Sequence, residues 1–167
     1  MVAETGWWVL LHYRVPREPS TPRIAIWRRL RQLGVALLGD GLVALPEDAR
    51  TRELLEWVAG DVTAAGGEAV LWRAQTLSGT DERRVARAMA DARAAEYRTL
   101  TTAAELALGE SVDAATRSLR RLRRELQTVR RRDHFPPPER EVATRALDRL
   151  ARRVTGAAGT GATGVRP

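Results

Sequence analysis

A chain of 167 residues with 44% hydrophobic content can bury one core, or one small domain with a helical unit appended to it. It contains no cysteine, which excludes disulfides and thiolate chemistry. Its basic residues, all 28 of them arginine, leave a formal charge of +7, and this excess is confined to one region: residues 1–76 carry nine arginines and nine acids, whereas the remainder carries 19 arginines and 12 acids.

The opening MVAETGWWVLLHYRV lacks a basic segment ahead of its short apolar run, so neither a signal peptide nor a membrane span is expected, and the protein reads as soluble and cytoplasmic. From Trp7 to Val15 the residues alternate, Trp7, Val9, Leu11 and Tyr13 against Trp8, Leu10, His12 and Arg14, which is the period of a strand. After PREPSTPR, Thr21 is placed to cap a helix with Pro22 at its first position, and Ile26, Trp27, Leu30 and Leu33 form its apolar stripe up to Gly34. The runs Val35 to Leu38 and Leu42 to Leu45 flank Gly39, Asp40 and Gly41 as a tight hairpin. A second helix is expected from about Glu47, with Leu54, Leu55, Val58 and Val62 on one face and Gly66 and Gly67 at its end, followed by a strand over Ala69 to Ala74.

This order, strand, helix, strand, strand, helix, strand, is the split βαββαβ arrangement of the ferredoxin-like fold. All five tryptophans, Trp7, Trp8, Trp27, Trp57 and Trp72, lie in this half, where they can furnish large buried surfaces. Trp8, Leu10, Val70 and Trp72 are expected on the sheet face that the two helices leave open, and that face then needs a cover from the C-terminal helices or from a second subunit. A homodimer is therefore expected.

The boundary of this first domain, residues 6–76, falls at LSGTDE, and the next part, 79–155, reads as helical throughout. An alanine-rich helix is expected over about 80–108. Ser111 is placed to cap the next helix, in which Val112, Ala115, Leu119, Leu122, Leu126 and Val129 recur in steps of three and four as a heptad seam. Pro136, Pro137 and Pro138 break it, and Val142, Ala146, Leu150 and Val154 mark a last helix. The fold class is thus α+β, a ferredoxin-like domain followed by an antiparallel helical hairpin or three-helix unit. The tail 156–167 is expected to be disordered.

The stretch Leu119 to Phe135, LRRLRRELQTVRRRDHF, sets arginine in nearly every place the seam leaves free. Arg117, Arg120, Arg121, Arg123, Arg124, Arg130 and Arg131 are the candidate DNA-binding residues; Arg117, Arg120, Arg121, Arg124 and Arg131 recur on the side away from the seam, where guanidinium groups suit a row of phosphates. The competing reading is a solvated face whose arginines pair with Glu96, Glu105 and Glu110 of the neighbouring helix. No aromatic residue interleaves with these arginines, which favours phosphate contact with a duplex over stacking on single strands. A second candidate is an oxyanion site formed by Arg14, Arg17 and Arg23 around the start of the first helix, the alternative there being ion pairs with Glu18 or Asp40. His12 and His134 stand apart and no metal ligand set or cofactor is assigned; Asp133 and Phe135 are expected to close the arginine helix and plug its base. No catalytic constellation stands out, so the reading leans away from an enzyme.

Taken together, WVLLHYRVPREPSTPRIAIWRRLRQLG, the hairpin ending in VALPED, EAVLWRA, the EYRTL segment and LRRLRRELQTVRRRDHF resemble the N-terminal domain of the ChrB family of chromate-resistance regulatory proteins, over about residues 7 to 154. The first half also resembles the C-terminal domain of the PaaX repressors and the small CRISPR integration nucleases. Those relatives commonly place an aspartate after the first-strand tyrosine, where this chain has Arg14, which repels a divalent cation and argues against nuclease activity. The resemblance implies a cytoplasmic transcriptional regulator that binds double-stranded DNA and responds to chromate. The alternatives from other classes are a protein-interaction module that binds no DNA, and a ligand sensor or enzyme with a pocket between the two halves.

Overall fold

The computed structural model describes residues 6–160 and places two compact units in the chain, divided between Met89 and Ala90. The division lies inside a helix, some ten residues beyond the expected linker.

The first unit contains β1 (Trp8–Arg14), α1 (Ser20–Leu33), β2 (Ala36–Gly39), β3 (Leu42–Pro46), α2 (Ala49–Ala64) and β4 (Glu68–Ala74). The strands form one antiparallel sheet in the order β2-β3-β1-β4, as expected of the split arrangement. Val9 and Leu11 pair with Leu45 and Val43, and all four are buried on the face covered by the helices. Ile26 and Leu30 of α1 and Leu55, Val58 and Val62 of α2 complete this core. At the turn between β2 and β3, Gly41 has φ +70°, and a Cβ there would lie 2.3 Å from the Tyr13 carbonyl oxygen. The same closeness lets Tyr13 N donate to Gly41 O at 2.7 Å, tying the hairpin to β1.

The start of the first helix differs from expectation, and that of the second lies where it was expected. Helix α1 begins at Ser20 with Pro19 in the cap position and no side-chain cap, so Thr21 is a helical residue and Pro22 sits in the first turn, where its missing N–H costs nothing. Helix α2 has the stronger start: Thr51 N donates to Asp48 Oδ1 at 2.6 Å while Asp48 N donates to Thr51 Oγ1 at 2.9 Å. Thr51 Oγ1 also donates to Pro46 O, which satisfies the buried hydroxyl.

The tryptophans correct the picture of an aromatic core. Only Trp8 is buried; Trp72 is 57% exposed and Trp57 61%. The reason is registration: Trp72 lies opposite Leu10 on the open face of the sheet, and Trp27 is one position past the buried Ile26. Exposed rings are instead partly covered by guanidinium groups, Arg73 over Trp7 and Arg31 over Trp27. Of the residues expected on the open face, Trp8 is buried and Leu10 half-buried, whereas Val70 and Trp72 are exposed.

The next helix, α3 (Gly79–Ala107), runs from the first unit into the second, which continues with α4 (Val112–Arg131) and α5 (Glu139–Thr160). Arg98 and Arg149 meet Glu139 and Glu105 across α3 and α5, which therefore run in the same direction. Arg132 at the end of α4 meets Glu96 on α3, so α4 runs opposite to both. Tyr97, Leu100 and Ala104 of α3, the seam of α4, and Ala143, Ala146, Leu147 and Leu150 of α5 form one core. Val112 and Val142, expected on the seams, are exposed, because the buried stripe of α4 begins at Ala115 and that of α5 at the neighbouring Ala143. Helix α5 also continues through Gly156 to Thr160, residues expected to be disordered, since extending an existing helix through GAAG is far easier than nucleating one. The rest of that tail, 161–167, lies outside the described residues.

Candidate nucleic-acid interface

Helix α4 is specified by its own sequence at both ends and along one side. Ala114 N donates to Ser111 Oγ at 3.4 Å, Asp113 stands in the first turn, and Arg130 and Arg131 in the last complement the helix dipole. Ala115, Leu119, Leu122, Leu126 and Val129 are all buried, and this stripe dictates the direction of every other side chain. At roughly 100° per residue, Arg117, Arg120, Arg124 and Arg131 fall within about 60° of one another opposite the stripe. All four are exposed. With a rise of about 1.5 Å per residue, the row extends over about 21 Å.

Among the described residues, Glu96 and Glu105 of α3 and Glu110 just beyond it form no ion pair with Arg117, Arg120 or Arg124. Glu96 is taken by Arg132 at 2.8 Å and Arg93 at 3.0 Å, and Glu105 by Arg149 at 3.4 Å. The Glu110 side chain accepts from Ser118 Oγ at 2.9 Å, and its carbonyl accepts from Arg153. On α4 itself Glu125 pairs with Arg121 at 2.9 Å. Among the described residues, Arg117, Arg120, Arg123 and Arg124 are therefore left without an ion pair. Arg117, Arg120, Arg121 and Arg124 line a shallow groove of about 520 Å³ together with Glu110 and Ser118. A second groove of about 430 Å³, between α3 and α4, shares Arg121 and Arg124 and has Leu100 and Val129 on its floor.

Arg130 has a different role. It is half-buried and its NH2 donates to Thr144 Oγ1 of α5 at 2.8 Å, so it ties two helices together instead of projecting from the row. The closing residues Arg132, Asp133 and Phe135 are likewise structural. The Asp133 side chain is wholly buried, accepts from the Tyr97 hydroxyl at 2.8 Å and faces Arg140 at 3.6 Å. Burial, and then the bond to Asp133, push the Tyr97 hydroxyl well above the usual tyrosine range. Burial also lowers the Arg93 guanidinium, with Arg132 acting in the same direction and Glu96 and Asp133 opposing it. Tyr97, Arg93 and Arg140 were not singled out from the sequence; a lone tyrosine within an alanine-rich helix was the available signal for the first.

Arg14, Arg17 and Arg23 are each exposed, and among the described residues none pairs with Glu18 or Asp40. Arg14 lies opposite Glu68 and shares its sheet face with the exposed His12 and Trp72. Arg23 belongs to α1, which covers the other face of the same sheet.

Comparison with known proteins gives a family. Residues 23–160 match the family model described as protein ChrB, N-terminal. The chain is also 30% identical over 133 residues to protein ChrB of Cupriavidus metallidurans, a match that covers 77% of this chain and 40% of that protein's length. The Tyr97–Asp133 bond and the arginine helix lie within the matched residues, and the chain belongs to the ChrB family, whose N-terminal region it matches.

Proposed function

We propose that the chain is a chromate-resistance-associated transcriptional regulator that acts in the cytoplasm and binds double-stranded DNA through the outward face of α4. The observation that carries this reading is that Glu96 and Glu105 pair with other arginines, the Glu110 carboxylate accepts from Ser118, and Arg117, Arg120 and Arg124 are exposed and without an ion pair among the described residues. A row of unpaired guanidinium groups is attracted to phosphate, and each contact releases condensed counterions, so affinity arises from charge and falls steeply with salt. The contacts position the protein on the duplex; they do not read bases. The effector in this proposal is a tetrahedral oxyanion of the chromate class, held by Arg17 and Arg23 at the start of α1, since Arg14 lies on the opposite face of the sheet from α1. Fluorescence anisotropy of a labelled duplex, measured over a series of salt concentrations, tests the DNA reading. The expected result is binding at low salt with a negative log-log slope. Absence of binding at low salt would leave the protein-interaction module as the better reading.

A further inference from the structure

Strand β4 is a long, regular edge whose central residues carry no charge. It pairs with β1 along all seven of its residues, and among the described residues no strand pairs with its outer side. Edge strands in soluble proteins are blunted by proline, charged side chains, bulges or short length. The opposite edge, β2, follows that rule, with four residues and an irregularity between Leu37 and Gly39. β4, EAVLWRA, has no proline or bulge; its charges stand near its two ends, Glu68 and Arg73, the latter held by Glu47, and between them on the open face it presents Val70 at 46% and Trp72 at 57% exposure.

We infer that β4 is a homodimer interface, pairing antiparallel with β4 of a second copy about a twofold axis at Leu71. The sequence of the strand favours this register. Centred on Leu71, the pairing uses all seven residues and sets Val70 against Trp72 of the second copy, and Trp72 against its Val70. Residues directly opposite in an antiparallel pair share a face, so both couples lie on the open face. Glu68 meets Ala74 and Arg73 meets Ala69, so no charge stands opposite its like. Within each copy Leu10 is the neighbour of Trp72 and His12 of Val70. The row Leu10, Trp72, then Val70 and His12 of the second copy thus runs unbroken across the axis. Moving the register by two residues in either direction shortens the ladder and separates Val70 from Trp72. Two four-stranded sheets become one of eight strands, and the unpaired edge disappears. This interface lies in the first unit and does not depend on the DNA reading.

Two experiments on the whole chain test it. Sedimentation at tens of micromolar should show a dimer for the wild type and a monomer for Val70→Lys and for Trp72→Lys, with far-ultraviolet circular dichroism unchanged. A monomeric wild type, or lysine variants that remain dimeric, overturns the proposal. The absence of native cysteine permits a second measurement that is independent of those variants. An oxidised mixture of Val70→Cys and Trp72→Cys chains should yield a disulfide-linked heterodimer well above the yield from either variant alone. Equal yields in the mixture and in the single variants would rule out the register.

Discussion

Replacing Arg117, Arg120 and Arg124 together by glutamine removes three charges from the outward face of α4 and leaves its buried stripe untouched. Arginine and glutamine have nearly equal helix propensity, so the helix should persist. None of the three arginines forms an ion pair among the described residues, so their removal strands no acid. If each neutralises one phosphate of B-DNA, each contributes about 0.9 to the negative slope of log K against log salt, and the three together about 2.7. Over a fourfold rise in salt, the wild type should then lose about 40-fold more affinity than the triple variant. Anisotropy titrations of one labelled duplex at several salt concentrations measure both slopes directly.

Arg130→Gln supplies the contrast, because Arg130 is bonded to Thr144 and half-buried. It should change the stability of the helical unit and leave the salt slope nearly intact. Equal slopes for the wild type and the triple variant would refute the reasoning, as would a slope change in Arg130→Gln as large as that of the triple variant.

Gly41→Ala should destabilise the first unit by about 1–3 kcal/mol, read by urea unfolding, because a side chain is disfavoured at positive φ and the new Cβ would meet the Tyr13 carbonyl. Tyr97→Phe should cost about 1–3 kcal/mol by leaving the buried Asp133 short of a donor. The raised Tyr97 pKa means that the folded state holds this proton more tightly than the unfolded state, so the associated stability is intact below about pH 10 and declines as the pH rises further. The Phe variant should lack that part of the alkaline decline, measured by denaturant unfolding between neutral and alkaline pH. Calorimetric titration of chromate or sulfate should give heat with the wild type and a weakened isotherm with Arg23→Gln; an unchanged isotherm removes Arg23 from the oxyanion site.

The parts of this fold that could be read from residue order are those governed by local periodicity. The alternation Trp7 to Arg14 gave β1, the glycines around Asp40 gave the hairpin, and Leu119, Leu122, Leu126 and Val129 gave the buried side of α4, all as found. The tryptophans show where this reasoning stops. Composition says that five large rings are available, but burial is decided by which sheet face and which helix azimuth each occupies. Trp72 stands opposite Leu10 on the open face, where the alternation put it, whereas Trp8 on that same face is buried, a matter of tertiary packing that residue order does not carry. The cap of the first helix fails for a related reason: Thr21 is a residue type that caps helices, and only the backbone conformation decides which residue takes that position. Asp48 has an extended backbone and a reciprocal partner in Thr51, whereas at α1 the extended residue is Pro19, which has no side-chain acceptor.

The arginine helix divides in the same manner. Its charge is plain in the sequence, but whether that charge is available depends on where the acids of another helix are directed. In the second unit Glu96 and Asp133 gather Arg93, Arg132 and Arg140 around the buried Tyr97, while Arg130 crosses to α5. These contacts require α4 to lie antiparallel to α3, with its last turn beside the Tyr97 turn, and that alignment holds the seam inward along the whole helix. Inward placement of Leu119, Leu122 and Leu126 is in turn what directs Arg117, Arg120 and Arg124 outward. Arginines of one continuous run therefore do two kinds of work. Those near Asp133 fix the orientation of the helix at the expense of their own exposure, and those nearer Ser111 are left free as a consequence of that orientation.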